Sequence, residues 1–208
     1  MSQFFKNSMV LTVAAAALLS GLSACAPLMV GSAVMTGMVA VDRRTSGIQL
    51  EDEGIELRTA QGLRQNLGAS AHVNVTSYNR QVLLTGEVAT AAQKELADKL
   101  AQSQENVKAV ANELTVQATS SLTQRSKDAI ITGQIKALFV DAKDLQSTAF
   151  KVVTENSVVF LMGRVTSREA QRATDIARSV SGVTKVVRVL DVISEEELKR
   201  LSAQTSAK

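Results

Sequence analysis

The sequence contains one pattern twice, and this internal repeat limits the possible folds more than any other feature. The first unit runs from about residue 47 to 118 and the second from about residue 126 to 194. Only single-residue gaps are needed to align them. The best-matched segments are 75–79 with 152–156 and 82–86 with 159–163. A repeat of this length indicates two copies of one supersecondary unit that stack on each other.

Each unit has the hydrophobic spacing of a helix, two strands, a second helix and a third strand. In the second unit Ile131, Ile135 and Phe139 recur every four residues, which predicts one buried helical face. Apolar and β-branched runs at 150–154 and 158–164 surround a short polar turn, which predicts a hairpin. The predicted fold class is therefore α+β, with two tandem domains.

The second helix of each unit is expected to begin after a hydroxyl side chain that caps it, Thr90 in the first unit and Ser167 in the second. Gly182 is expected to end the later helix. The side chains expected to face inward are Ala92, Leu96 and Leu100 in the first unit, and Ala170, Ala173, Ile176, Ala177 and Val180 in the second.

A unit of about 70 residues has a small core, so pairing of the two units is expected to bury additional surface. In the strand at 158–164, alternation places Val158, Phe160 and Met162 on one face. The helices of one unit cover only one face of its sheet. We therefore predict that these three side chains are hidden at a contact between the two units.

The N-terminus has the layout of a lipoprotein signal peptide. Lys6 supplies a positive charge, and an apolar run at 9–22 is too short to span a bilayer. The segment Leu22-Ser23-Ala24-Cys25 resembles a lipobox, so we expect Cys25 to carry diacylglycerol and an N-acyl chain. The alternative is an ordinary signal peptide with an incidental cysteine. Ala26, rather than Asp, after the cysteine resembles an outer-membrane address.

These features divide the chain into five expected segments. They are a signal peptide at 1–24, the lipidated cysteine and a tether at 25–46, domains at 47–118 and 119–194, and a tail at 195–208. The segment 194–197 has capping-box spacing, which predicts a short helix through Leu201 and a frayed end.

Composition argues against several function classes. The single cysteine excludes an intramolecular disulfide and a cysteine-based metal site. A net charge of +3 and the absence of Trp do not resemble a nucleic-acid binder. The lone His72 is interpreted as a surface or packing residue. The acidic runs at 51–53 and 195–197 are interpreted as surface charge at helix starts. We therefore predict a monomer that is not an enzyme, with no metal and no cofactor beyond the acyl groups.

The hairpins, each with a glycine at its end, and the Gly182-Val183 segment before the last strand of the second unit resemble the BON domain. The resemblance is strongest from Lys151 to Gly163 and covers nearly all of residues 1–193. It implies a two-domain outer-membrane lipoprotein that faces the periplasm and binds anionic phospholipid. It also implies enrichment at the division site and a role in envelope integrity. In the family, a Trp near the start of the second domain's first helix contacts lipid, and here that position is Ile130.

The spacing of this helix places Ile130 beside its buried face. With Ile131 inward, about 100° per residue puts a group of residues to one side, namely Ile130, Gly133, Gln134 and Ala137. Arg125 and Lys127 precede this group and would suit an anionic bilayer. In the alternative reading, Ile130 packs against the first unit and the two cations are only solvated.

Two function classes remain open at this point. The first is a phospholipid-binding module of the outer membrane. The second is a protein-binding scaffold for outer-membrane assembly proteins or a periplasmic regulator.

Overall fold

The computed structural model describes residues 42–68 and 71–206, with side chains through Ala203. The predicted signal peptide, Cys25 and the tether before Asp42 lie outside the described residues. Within this part of the chain, two α+β domains follow one another, as the repeat predicts.

The first domain has two helices and a small mixed sheet. Its elements are α1 (Ser46–Leu67), β1 (His72–Tyr78), β2 (Gln81–Val88), α2 (Ala91–Gln102), β3 (Ala109–Asn112) and β4 (Thr115–Val116). β1 and β2 form an antiparallel hairpin, and β3 and β4 both pair with β2 in parallel.

The second domain repeats this order with one uninterrupted last strand. Its elements are α3 (Leu122–Asp141), β5 (Phe150–Glu155), β6 (Val158–Thr166), α4 (Ser167–Ser179) and β7 (Lys185–Ile193), followed by a terminal helix α5 (Glu195–Ser206). A short 3₁₀ turn, Ser147–Ala149, precedes β5. The predicted tail helix is present and extends beyond Leu201, and Ser194 accepts a hydrogen bond from the Glu197 N–H.

A buried aspartate on the first helix of each domain fixes the hairpin turn. Asp52 accepts the backbone N–H groups of Asn79 and Arg80 at 2.8 and 2.7 Å. Both turn residues have positive φ, 52° and 68°, as a two-residue hairpin of the favoured twist requires. Asp128 binds the two N–H groups of the 156–157 turn in the same way, at 2.9 Å each. The side chain therefore satisfies backbone donors that the tight turn leaves without a strand partner.

A glycine in each hairpin allows close approach of the backbone. A Cβ atom on Gly86 would lie 2.0 Å from the carbonyl oxygen of His72, and one on Gly163 would lie 2.4 Å from that of Ala149. These glycines, shared by the two units, are therefore required by packing at the start of the first strand.

The helix faces agree with the sequence pattern in α3 and α4. Ile131, Ile135 and Phe139 are buried as predicted, and the alanines of α4 face the sheet. In α2 the prediction was wrong for two of its three residues. Ala92 is exposed and Leu96 is 37% exposed, whereas Leu100 packs against the domain core as predicted. The fully buried residues are Ala97 and Ala101, because the side of the helix that meets the sheet lies one position further along the sequence.

The caps of the second helices differ in a similar way. Thr90 caps α2 as predicted, and its hydroxyl accepts the N–H of Gln93. The cap of α4 is Thr166 rather than Ser167. Glu169 lies three residues after Thr166 and returns a bond to the Thr166 N–H, which completes a capping box that Ser167 could not form.

The outer faces of the two sheets pack against each other. Their contact forms a third apolar cluster, separate from the two domain cores. It contains Tyr78, Leu83, Phe160, Met162 and Val189, with Val153, Val158, Val187 and Ala111 packed at its edge. This confirms that Val158, Phe160 and Met162 are hidden between the domains.

Candidate membrane interface

Helix α3 presents its predicted inner face to the core and leaves the opposite face uncovered. Ser121 caps its first turn by accepting the N–H of Gln124 at 3.2 Å. Ile130 is 61% exposed, so it does not pack against the first domain. The alternative in which Ile130 is a packing residue therefore does not hold.

Several exposed apolar residues lie along one line of this helix. We call them the apolar stripe: Leu122, Ile130, Gly133, Ala137 and Val140. At about 100° per residue they fall within an arc of roughly 80°. Ser126 lies within this arc, and its hydroxyl donates to the carbonyl of Leu122 at 2.9 Å. Because that bond satisfies its donor, Ser126 can enter an apolar environment at low cost.

Lysines flank the apolar stripe on both sides. Lys127 and Gln134 lie on one side and Lys136 on the other, all exposed. The one exposed carboxylate of α3 is that of Asp141, its last residue, which lies beside the C-terminal end of the stripe. The sequence analysis missed the contributions of Leu122 and Val140. The same helical spacing could have found them, because both lie in line with Gly133.

Arg125 lies away from the residues with which the sequence analysis grouped it. It is half-buried, and its Nε donates to the Ser120 hydroxyl at 3.2 Å. It lines a groove between the domains rather than the stripe. The geometry therefore groups Lys127, Gly133, Gln134 and Ala137 with Ile130, and separates Arg125 from them.

The equivalent helix of the first domain has a different surface. Leu50 and Leu57 are exposed on α1, but acidic residues surround them. Glu51, Glu53 and Glu56 all lie between these two leucines in the sequence and keep at least part of their surface accessible. An anionic surface would be repelled by α1 and attracted by α3.

Polar side chains cluster at one end of the interface between the domains. Asn74 Nδ2 donates to Glu155 Oε2 at 2.8 Å, and Asn156 Nδ2 donates to Glu87 Oε1 at 2.5 Å. Each asparagine thus binds a carboxylate of the other domain. His72 Nδ1 lies 2.9 Å from Glu87 Oε2. His72, Asn74 and Glu155 of this cluster border a groove of about 410 Å³.

The two carboxyls of this cluster differ in their electrostatic environment. Burial raises the pKa of Glu155 above its usual range, and the negative charges of Glu87 and Asp128 add to this effect. Burial also opposes ionisation of Glu87, but hydrogen bonds from Asn156 and His72 outweigh it and lower the pKa of Glu87. Sequence spacing could not indicate this cluster, because Glu155 comes from the other repeat.

Two consecutive arginines bind different domains at the opposite end. Arg43 donates to both oxygens of Glu169 at 2.8 and 2.7 Å, and its Nη1 also donates to the carbonyl of Arg164 at 2.9 Å. Arg44 donates to Asp52 at 2.7 Å, and its guanidinium lies 4.2 Å from the centre of the Tyr78 ring. The segment that precedes α1 therefore connects the two domains.

The described helices do not suggest a membrane crossing. Within residues 42–68 and 71–206, none combines the length and the apolar character that a bilayer span requires.

The sequence profile of the BON domain family matches residues 52–118 and 127–194. Over 171 residues the chain is 40% identical to the outer membrane lipoprotein DolP of Haemophilus influenzae, covering 81% of this chain and 88% of that protein. It is 37% identical over 155 residues to the 21 kDa hemolysin of Actinobacillus pleuropneumoniae, covering 74% and 80%. It is also 34% identical over 120 residues to osmotically-inducible protein Y of Escherichia coli, covering 56% and 60%. The two profile matches fall on the two repeats.

Proposed function

The chain belongs to the BON domain family, and from this premise we propose that it is an outer-membrane lipoprotein whose second domain binds anionic phospholipid through α3. Acyl groups on Cys25 would hold it in the membrane, facing the periplasm. The observation that carries the lipid proposal is the exposed apolar stripe, which is flanked by lysines and has one carboxylate beside it, that of Asp141 at the end of the helix.

Two independent observations support the proposed localisation in the outer membrane. The lipobox at 22–25 follows directly after the apolar run of the signal peptide. A relative with 40% identity over most of its length is named an outer membrane lipoprotein. The resemblance of this chain to the BON family extends the proposal to a role in envelope integrity and to enrichment at the division site. The proposed activity is binding rather than catalysis, by a monomer without a cofactor beyond the acyl groups.

The physical balance favours a weak and reversible contact. Each lysine near an anionic bilayer contributes about 1 kcal/mol, and the apolar stripe adds partial insertion of Ile130, Leu122 and Val140. Ile130 lacks the indole that favours the headgroup region, so the contact is expected to be shallow. Covalent anchoring raises the effective lipid concentration around α3, so a weak contact is sufficient.

The anchor is tested by Cys25→Ser. We expect this change to abolish palmitate labelling and to move the protein out of the membrane fraction, because no acyl chain can be attached. Unchanged labelling would contradict the lipobox assignment.

The lipid contact is tested by vesicle flotation with residues 40–208, which form one compact unit. Ile130→Glu is expected to reduce binding to phosphatidylglycerol vesicles at least fivefold. The matched control is Leu57→Glu, which makes the same change at an equally exposed leucine of α1. Higher salt should weaken binding, and zwitterionic vesicles should bind poorly throughout. If Ile130→Glu stays folded and binds as the parent does, the lipid proposal is wrong and a scaffold for outer-membrane assembly proteins becomes the better hypothesis.

A further inference from the structure

Three metal-binding side chains from two domains meet at the polar end of the interface. His72 opens β1 and pairs directly with Glu87 of β2 across the hairpin, so their side chains share one face. Glu155 ends β5 of the second domain. One donor atom from each of the three lies within 4.8 Å of the other two.

The two asparagines orient the carboxylates toward the centre of this cluster. Asn74 holds one oxygen of Glu155, and Asn156 holds one oxygen of Glu87. The other Glu87 oxygen already lies 2.9 Å from His72 Nδ1. Amide donors that fix one oxygen of a ligating carboxylate are the usual outer partners of a metal site.

The cluster carries more negative charge than the described residues neutralise. Glu87 is fully buried and Glu155 is 8% exposed, and Asp128 lies close enough to act on Glu155. Arg125 lines the same groove, but Ser120 accepts its Nε hydrogen bond, and no described Lys or Arg forms a salt bridge with either glutamate. Buried like charges are costly unless a cation or protons accompany them.

We propose that His72, Glu87 and Glu155 bind a zinc ion that links the two domains. One imidazole and two carboxylates form a ligand set that suits zinc, whereas magnesium and calcium prefer oxygen ligands alone. His72 Nδ1 and Glu87 Oε2 are 2.9 Å apart, and the donor atoms of all three residues lie within 4.8 Å of one another, so side-chain rotation can bring them around one ion. Water from the groove would fill the fourth position.

Such a site would fix the position of α3 relative to the first domain. The groove that faces the cluster is also lined by Asp128, Ala129 and Thr132 of α3. Zinc would thus restrict the motion of α3 near Asp128 and Thr132 without contacting its apolar stripe. The inference stands apart from the lipid proposal, since Ile130 takes no part in it.

The test uses the full acylated chain in detergent, stripped of metal with a chelator. Competition against a fluorescent zinc indicator is expected to give one zinc per chain, and a thermal melt should rise with added zinc because only the folded chain binds it tightly. His72→Gln and Glu155→Gln should each weaken binding at least tenfold. The matched control Glu95→Gln, which removes the same charge from an exposed site on α2, should bind as the parent does.

Circular dichroism shows whether each variant is folded. Should Glu155→Gln misfold, His72→Gln at the half-buried edge of the cluster carries the test alone. Absence of stoichiometric zinc binding by the parent overturns the proposal. Equal binding by parent and a folded His72→Gln overturns it as well, because the zinc would then lie elsewhere.

Discussion

In each domain a buried aspartate at the equivalent position binds the hairpin turn, but the side chain that pairs with this aspartate differs between the domains. Arg44 donates to Asp52 at 2.7 Å, whereas a neutral amide, Gln124, donates to Asp128 at 3.0 Å. The third residues of the second helices show the reverse. Gln93 in the first domain is uncharged and accepts the N–H of Ala89, whereas Glu169 in the second completes a capping box, is buried and pairs with Arg43.

A third pair of equivalent positions shows the same divergence. Glu87 and Arg164 follow the matched glycines of the two hairpins. Glu87 lies in the acidic cluster with His72, whereas Arg164 forms ion pairs with Asp191 and Glu197. Positions that build the fold have therefore stayed alike in the two repeats. Positions that face the partner domain have diverged, which makes the two ends of the interface chemically different.

The largest effect is expected from removing the hairpin aspartates. Asp52→Ala should lower the free energy of unfolding by about 5 kcal/mol and Asp128→Ala by about 3 kcal/mol, because charged hydrogen bonds contribute roughly 1.5–3 kcal/mol each and Asp52 also binds Arg44 and the Ser77 hydroxyl. Urea denaturation followed by circular dichroism measures both values. Equal losses would show that Arg44 and Ser77 together add nothing and that the two hairpins are energetically alike.

Breaking the link between the N-terminal segment and the second domain should have the next largest effect. Arg43→Ala should cost about 3 kcal/mol, because it leaves the buried Glu169 without a cation. Burial opposes ionisation of Glu169, but Arg43 and the Thr166 N–H outweigh it and lower the pKa of this carboxyl. The contribution is therefore present above the unfolded pKa of about 4.3 and lost as pH falls through the folded pKa.

The same denaturation measurement has a matched control and a rescue. Arg58→Ala breaks an exposed ion pair with Glu51 and should cost under about 1 kcal/mol. Adding Glu169→Gln to Arg43→Ala should recover part of the loss. A loss for Arg43→Ala as small as that for Arg58→Ala would show that the segment before α1 does not hold the domains together.

At the other end of the interface, neutralising a carboxylate should stabilise the metal-free chain. Glu155→Gln should be more stable than the parent at neutral pH, because burial and the charges of Glu87 and Asp128 raise the pKa of Glu155. A raised pKa means that the folded parent binds the proton more tightly. The parent therefore loses stability relative to the variant as pH rises from the unfolded pKa through the folded pKa.

Thermal melts in EDTA across this pH range compare the two proteins directly. His72 and Arg125, which also line the groove, are unchanged in the variant, so the difference reports Glu155. A variant that is less stable than the parent at neutral pH would show that the cluster is already neutralised by protein groups.

The smallest effect on stability is expected on the two exposed helix faces. Ile130→Glu and Leu57→Glu should each change the free energy of unfolding by less than about 0.5 kcal/mol, because both side chains are largely exposed. Their effects on vesicle binding should nevertheless differ. A large loss of stability in either variant would mean that the leucine or isoleucine packs more than its exposure indicates.

Local patterns predicted most of the fold but little of what joins the domains. The four-residue spacing of Ile131 and Phe139 placed α3 correctly, and strand alternation placed Phe160 at the interface. The face of α2 was wrong at Ala92 and Leu96 because residues 92, 96 and 100 and residues 97 and 101 both form apolar lines with helical spacing. Local spacing does not decide which of two neighbouring lines packs on the sheet.

The interface contacts could not be predicted because they depend on how one sheet lies on the other. Arg43 and Glu169 are separated by 126 positions, and nothing in their local sequences relates them. Glu155 meets His72 only after both hairpins have formed and packed. By contrast, the helical spacing that identified Ile130 could also have identified Leu122 and Val140, the exposed ends of the apolar stripe.

The bond between Arg43 and Glu169 also determines how a pull from the membrane would be distributed. About 17 residues separate Cys25 from Asp42, a length that reaches roughly 60 Å when fully extended. Tension in this tether would reach Arg43 before the first turn of α1. The ion pair of Arg43 with Glu169 would then pass the tension to the second domain. The domain that comes later in the sequence would then carry the load and stay nearest the anchor. Helix α3, through which we propose lipid binding, would therefore be kept within reach of the bilayer even when the envelope is stretched.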